Sequence, residues 1–92
     1  MTTLEIRKLL VLSTGHLTKD TVDYLDRTDP AIWGFAGGHY GDAGYFCYAY
    51  DDAVGVPDDL LGVMRFARTH GCVNVLFDKD AEQIDNLPYY DW

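Results

Sequence analysis

Three histidines (His16, His39 and His70) and two cysteines (Cys47 and Cys72) are the side chains of this 92-residue chain best suited to acid–base, nucleophilic or metal chemistry. Imidazoles change charge near neutrality, and thiolates attack carbonyls or bind zinc. Their spacing organises none of this. His70 with Cys47 and Cys72 matches no zinc-ligand pattern. A Cys–His nucleophile pair needs a third group to orient the base, and none is nominated by position. Asp78-Lys79-Asp80-Ala81-Glu82 starts like a calcium loop but lacks the later glycine and the closing glutamate. Gly37-Gly38 and Gly41 could suggest a phosphate cradle, yet no lysine follows and Asp42 would repel the anion. The residues therefore point to no catalytic centre, no metal and no cofactor. The cysteines read as buried free thiols of a reducing compartment. One chemical alternative stays open: a small-ligand-binding domain or minor enzyme built on the Ser13–His16 turn, with His39 as helper. The turn and the His39 loop are expected at opposite ends of the sheet, which counts against that alternative.

The elements that would position these residues follow from periodicity. After a short lead-in, Met1 to Glu5, residues Ile6 to Leu12 contain the unbroken apolar run Leu9-Leu10-Val11-Leu12, which predicts a central strand. Thr18 can cap a helix that carries Val22 and Leu25 inward and ends before Asp29-Pro30. Ala31 to Ala36 reads as a second strand, marked by Ile32, Trp33 and Phe35. A glycine-rich tip from Gly37 to Gly44 then leads into the aromatic strand Tyr45 to Tyr50, as in a hairpin with a long tip. Pro57 to His70 predicts a helix with Leu60, Val63, Met64 and Ala67 on one stripe. Gly62 inside it suggests close packing, and Gly71 suits a left-handed stop. Cys72 to Phe77 alternates as the last strand, and residues 79–92 form an acidic, then aromatic tail.

This order, β-α-β-β-α-β, predicts one α+β domain over residues 1–92. The expected architecture is a two-layer sandwich, ferredoxin-like, with a four-stranded antiparallel sheet, its first and third strands central, and both helices on one face. The other face is left open. Alternation along the third strand turns Cys47 and Ala49 to the helices and Phe46, Tyr48 and Tyr50 outward. An exposed aromatic row marks a contact surface. It would serve a protein partner, a homodimer contact or base stacking, unless the Tyr89-Tyr90-Asp91-Trp92 tail folds back over it.

Charge narrows these choices. The net charge is −8, and 13 of the 15 acids are aspartate, all but Glu5 and Glu82. Such a surface repels nucleic acid and anionic membranes and favours basic partners. No apolar run reaches the length of a membrane span. Asp20, Asp23 and Asp26 recur along the first helix, and Asp51, Asp52, Asp58 and Asp59 follow the third strand. That loop and the start of the first helix are expected at one end of the sheet. A fixed carboxylate array can compete with phosphates for a partner's Lys and Arg side chains.

Lys8-Leu9-Leu10-Val11-Leu12-Ser13-Thr14, His16-Leu17-Thr18, Gly44-Tyr45-Phe46, Phe66-Ala67-Arg68, Gly71-Cys72, Val75 to Asp80 and Leu87-Pro88-Tyr89-Tyr90-Asp91-Trp92 carry a resemblance. The chain resembles a family of small uncharacterised acidic proteins carried on bacterial plasmids, integrative elements and phages. The resemblance brings no catalytic residue with it. It implies a context, the cytoplasm of a bacterial host. It also implies a role, antagonism of a nucleic-acid-targeting defence complex of the anti-CRISPR or anti-restriction kind. On this reading the protein acts without turnover, through acidic patches and the aromatic face, on a partner with a basic, nucleic-acid-binding surface. A structural homodimer is a further expectation.

Overall fold

In the computed structural model, residues 4–52 and 54–92 are described, so the first part of the lead-in lies outside the described residues. The elements are β1 (Lys8–Leu12), α1 (Lys19–Arg27), β2 (Gly37–Tyr40), β3 (Gly44–Tyr48), α2 (Asp58–Thr69) and β4 (Cys72–Asp78), with single 3-10 turns at Thr14–His16 and Pro30–Ile32. Local signals place most of these boundaries. The Thr18 hydroxyl caps α1 by accepting from the Thr21 amide. Pro57 sits at the start of α2, and Gly71 leaves it at φ 75°.

β2 lies later than the sequence predicts. Asp29 and Pro30 start a 3-10 turn over Pro30–Ile32, with the Asp29 side chain accepting from the Ala31 amide. The chain therefore bends where an extended strand was expected, and the glycines beyond it form the strand instead. Gly37 needs its missing side chain: a Cβ there would lie 2.4 Å from the Phe46 carbonyl oxygen on the neighbouring strand. The hairpin tip shrinks to a tight turn between Tyr40 and Gly44, closed by an Ala43 amide bond to the Tyr40 carbonyl.

The strand order is β1-β4-β3-β2, with β1 parallel to β4 and the other pairs antiparallel. The sheet is thus mixed, and β4, not β1, shares the centre with β3. Burial gives the reason. Val75 and Phe77 of β4 are fully buried, whereas Leu9 and Val11 of β1 are 43% and 45% exposed. The all-antiparallel ferredoxin-like order expected above is not the arrangement found.

α1 and α2 add Leu25, Leu60, Val63, Met64 and Ala67 to one cluster with Tyr45, Cys47, Val75 and Phe77 of the sheet. The Leu, Val, Met and Phe side chains among them each contribute about 1.5–3 kcal/mol when removed from water. A Cβ added at Gly62 would meet no atom of the described residues within 4 Å beyond its own helix backbone. The close contact expected at Gly62 is instead at Gly44, where a Cβ would sit 1.6 Å from the Phe77 carbonyl oxygen. Among the described residues no helix is long and apolar enough to cross a membrane.

Candidate functional site

The sheet face away from the helices carries side chains in cross-strand register. Val11 pairs with Leu76, and Leu76 with Phe46. The next row joins Leu9 to Asn74 and Asn74 to Tyr48. Phe46 is 41% exposed and Tyr40, near the hairpin turn, 46%. Leu9, Val11 and Leu76 were not among the expected contact residues. The signal was present in the apolar run of the first strand: with β1 at the edge, half of that run faces outward.

The aromatic row itself divides. Phe46 is open. Tyr48 is half-buried at the end of β3, where its hydroxyl accepts from Arg68 Nη2 at 2.6 Å and its ring centre lies 5.0 Å from the guanidinium carbon. Tyr50 lies beyond the strand and packs against the core, its hydroxyl accepting from the Ala36 amide. The C-terminal tail does not cover this face. It crosses the Ser13–His16 turn instead, at the far end of β1, with the Tyr90 amide bonded to the Gly15 carbonyl at 2.8 Å.

The seven aspartates do not form one array. Asp58 and Asp59 stand in the first turn of α2, beside the start of α1. Asp51 and Asp52 lie by Arg65, seven residues further along that helix, which is about 10 Å at 1.5 Å per residue. Arg65 Nε donates to the Asp51 carbonyl at 2.9 Å and Nη2 approaches Asp52 at 3.9 Å. The reason is strand direction: β3 runs opposite to β4, so the loop after it begins at the end opposite the start of α1. Several carboxylates also hold the fold together. Asp59 accepts from the Thr18 amide at 2.8 Å and the Thr21 hydroxyl at 2.9 Å, tying the two helix starts together. Asp23 pairs with Lys19 at 3.0 Å. Asp26 accepts a hydrogen bond from the Tyr45 hydroxyl. Burial, that bond and the charges of Asp26 and Asp23 together push the Tyr45 hydroxyl above its ordinary range. Asp20 is exposed on the first turn of α1.

The chemical residues are placed differently from the sequence reading. β1 and β2 both run parallel to β4, so the Ser13–His16 turn and the His39 hairpin share one end of the sheet. A cleft of about 390 Å³ opens between them, lined by Thr14, Asp26, His39, Asp42, Tyr45 and Lys79, with Trp92 of the tail as one wall. His16 is outside this cleft. It is 2% exposed, Nδ1 lies 2.7 Å from the Pro88 carbonyl, and Nε2 accepts from the Ile84 amide at 2.9 Å. His70 closes α2 and packs its ring, tilted, against Phe66. Cys47 and Cys72 are buried free thiols, and burial pushes the Cys47 thiol up to about 12. Among the described residues no three His, Cys, Asp or Glu side chains converge on a metal position.

Two helices on one face of a mixed four-stranded sheet, with apolar side chains in register on the other, define a small α+β domain whose second sheet face is left open by the described residues. Comparison places it further: the chain belongs to a family of unknown function, DUF5983, matching the family's C-terminal domain over residues 9–92. No curated protein and no solved structure matches it.

Proposed function

We propose that this domain is a non-enzymatic protein-binding module that docks a basic partner on its open sheet face. The observation that carries the reading is the row Val11–Leu76–Phe46, with Leu9 beside it. Two of its three members are more than two-fifths exposed among the described residues. Apolar side chains aligned across strands on an open face form a contact surface. The charge of −8 selects a partner of opposite sign and speeds the encounter. The partner class that fits is a nucleic-acid-handling protein. Together with the resemblance to proteins of mobile elements, this supports inhibition of a host defence complex in the bacterial cytoplasm. Asp20, exposed on α1, and Asp58, exposed at the start of α2, lie on the helix layer and add to the field that steers the partner. Asp59 and Asp26 act first in the fold.

The test is to purify a captured host protein and titrate it against wild type and Phe46→Asp at low and high salt. Saturable one-to-one binding that weakens in the variant and in salt supports the reading. Equal affinity for both proteins removes the sheet face from it. Sedimentation of the free protein shows whether a second copy occupies the face instead.

A second reading, a small-ligand site, rests on the end cleft. Thr14, His39, Asp42 and Lys79 come together there from three separate segments. Native mass spectrometry of freshly purified protein tests it; a co-purifying small molecule lost in His39→Ala with Lys79→Ala supports this reading over the first.

A further inference from the structure

The two ring nitrogens of His16 face partners that demand opposite roles. The Pro88 carbonyl can only accept, so Nδ1 carries the proton; the Ile84 amide can only donate, so Nε2 must be bare. Only the neutral imidazole meets both demands. The same tail segment is tied to the same turn at three more points: the Ser13 amide donates to the Glu82 carbonyl, the Tyr90 amide to the Gly15 carbonyl, and Trp92 Nε1 to the Leu17 carbonyl. Tyr89 lies so close over Gly15 that a Cβ would fall 2.3 Å from its ring.

We propose that residues 82–92 form a strap latched on neutral His16, which lets go as the pH falls and uncovers the Ser13–Leu17 turn and the Trp92 wall of the end cleft. A protonated ring would point its new N–H at the Ile84 N–H and would carry its charge on a side chain only 2% exposed. Other charged and titratable groups lie around the ring. Asp58 and Asp59 line the hollow beside His16 from α2, with Tyr90 on the strap. Tyr89 packs edge-on to the ring, and Asp91 and Lys79 lie with it around the turn. The two carboxylates favour the charged ring but accept no bond from it, and they do not remove the clash at Ile84. Protonation therefore weakens the strap rather than strengthening it. The His16 ring bonds only to strap backbone, so its release breaks no hydrogen bond within the sheet or α2, although Ile84 and Leu87 leave the edge of the core.

The experiment uses the whole chain. Imidazole nitrogen shifts are followed by NMR from pH 8 to pH 5, together with amide exchange corrected for its intrinsic pH dependence. The expected result is a single Nδ1–H tautomer at pH 8. Ile84 and Tyr90 then lose more than tenfold protection by pH 5. β3 and β4 amides keep theirs. In His16→Gln, whose amide offers a donor and an acceptor at every pH, protection of the strap does not change over that range. The proposal is overturned by an Nε2–H tautomer, by a strap that stays protected after His16 charges, by loss shared with β3 and β4, or by the same pH response in the variant. The tautomer and the wild-type exchange data decide the matter even if the variant does not fold.

Discussion

Asp59, an acid the sequence offers to a partner, also ties the two helix starts together. Replacing it with alanine strands the Thr18 amide and the Thr21 hydroxyl, both of which lean on its carboxylate. Hydrogen bonds to a charged acceptor contribute about 1.5–3 kcal/mol each, and the half-buried setting argues for the lower end, so Asp59→Ala should cost about 2–3 kcal/mol. A chain of this size has only about 5–14 kcal/mol in total. At about 4–8 °C per kcal/mol, the melting temperature should fall by about 10–20 °C. Asp59→Asn keeps one acceptor oxygen and should fall between. Asp58→Ala is the control: its neighbour is exposed and should stay within about 0.5 kcal/mol of wild type. Thermal and urea unfolding followed by circular dichroism give both numbers. An Asp59→Ala protein that melts within 2 °C of wild type, or an Asp58→Ala protein that melts as low, would refute the argument that this carboxylate joins the helices (the 2 °C margin is about the scatter expected of a neutral surface change).

Gly62→Ala should stabilise the domain by about 0.5–1 kcal/mol, since the helix interior gains alanine with nothing for the new methyl to strike; a lower urea midpoint would contradict this. Gly44→Ala should do the reverse and leave little folded protein, because the methyl would land on the Phe77 backbone, which cannot give way within a central strand; a cooperative melt near wild type would show that β3 can shift. Alkaline pH should destabilise the fold. Tyr45 holds its proton above the ordinary tyrosine range and Cys47 to about 12, so above pH 9 to 10 the unfolded chain binds fewer protons than the folded one and stability falls as pH rises. Tyr45→Phe should flatten that fall at its upper end. Thiol titration at pH 8 should leave Cys47 unreactive until denaturant is added, because a buried thiol is kept in its inert form.

The kinds of element and most of their bounds were legible in the chain, because they rest on contacts between near neighbours. Thr18 caps α1, Pro57 opens α2 and Gly71 ends it, each by chemistry confined to a few residues. The alternation of Tyr45 and Cys47 against Phe46 named the buried side of β3 for the same reason. Where Pro30 bends the chain, a local signal was available and the aromatic residues beside it masked it. What the chain alone left open is which strands meet. An apolar run such as Leu9 to Leu12 satisfies a central strand and an edge strand with an exposed apolar face equally well; only the pairing of β1 with β4 decides between them. Strand direction in turn put His39 at the same end as the Ser13–His16 turn and separated Asp52 from Asp58. It also took the tail to His16, whose partners lie 68 and 72 residues away in sequence. Periodicity reports which side of an element avoids water, whereas the choice of neighbour depends on closing long loops around one core, and no short stretch of sequence records that.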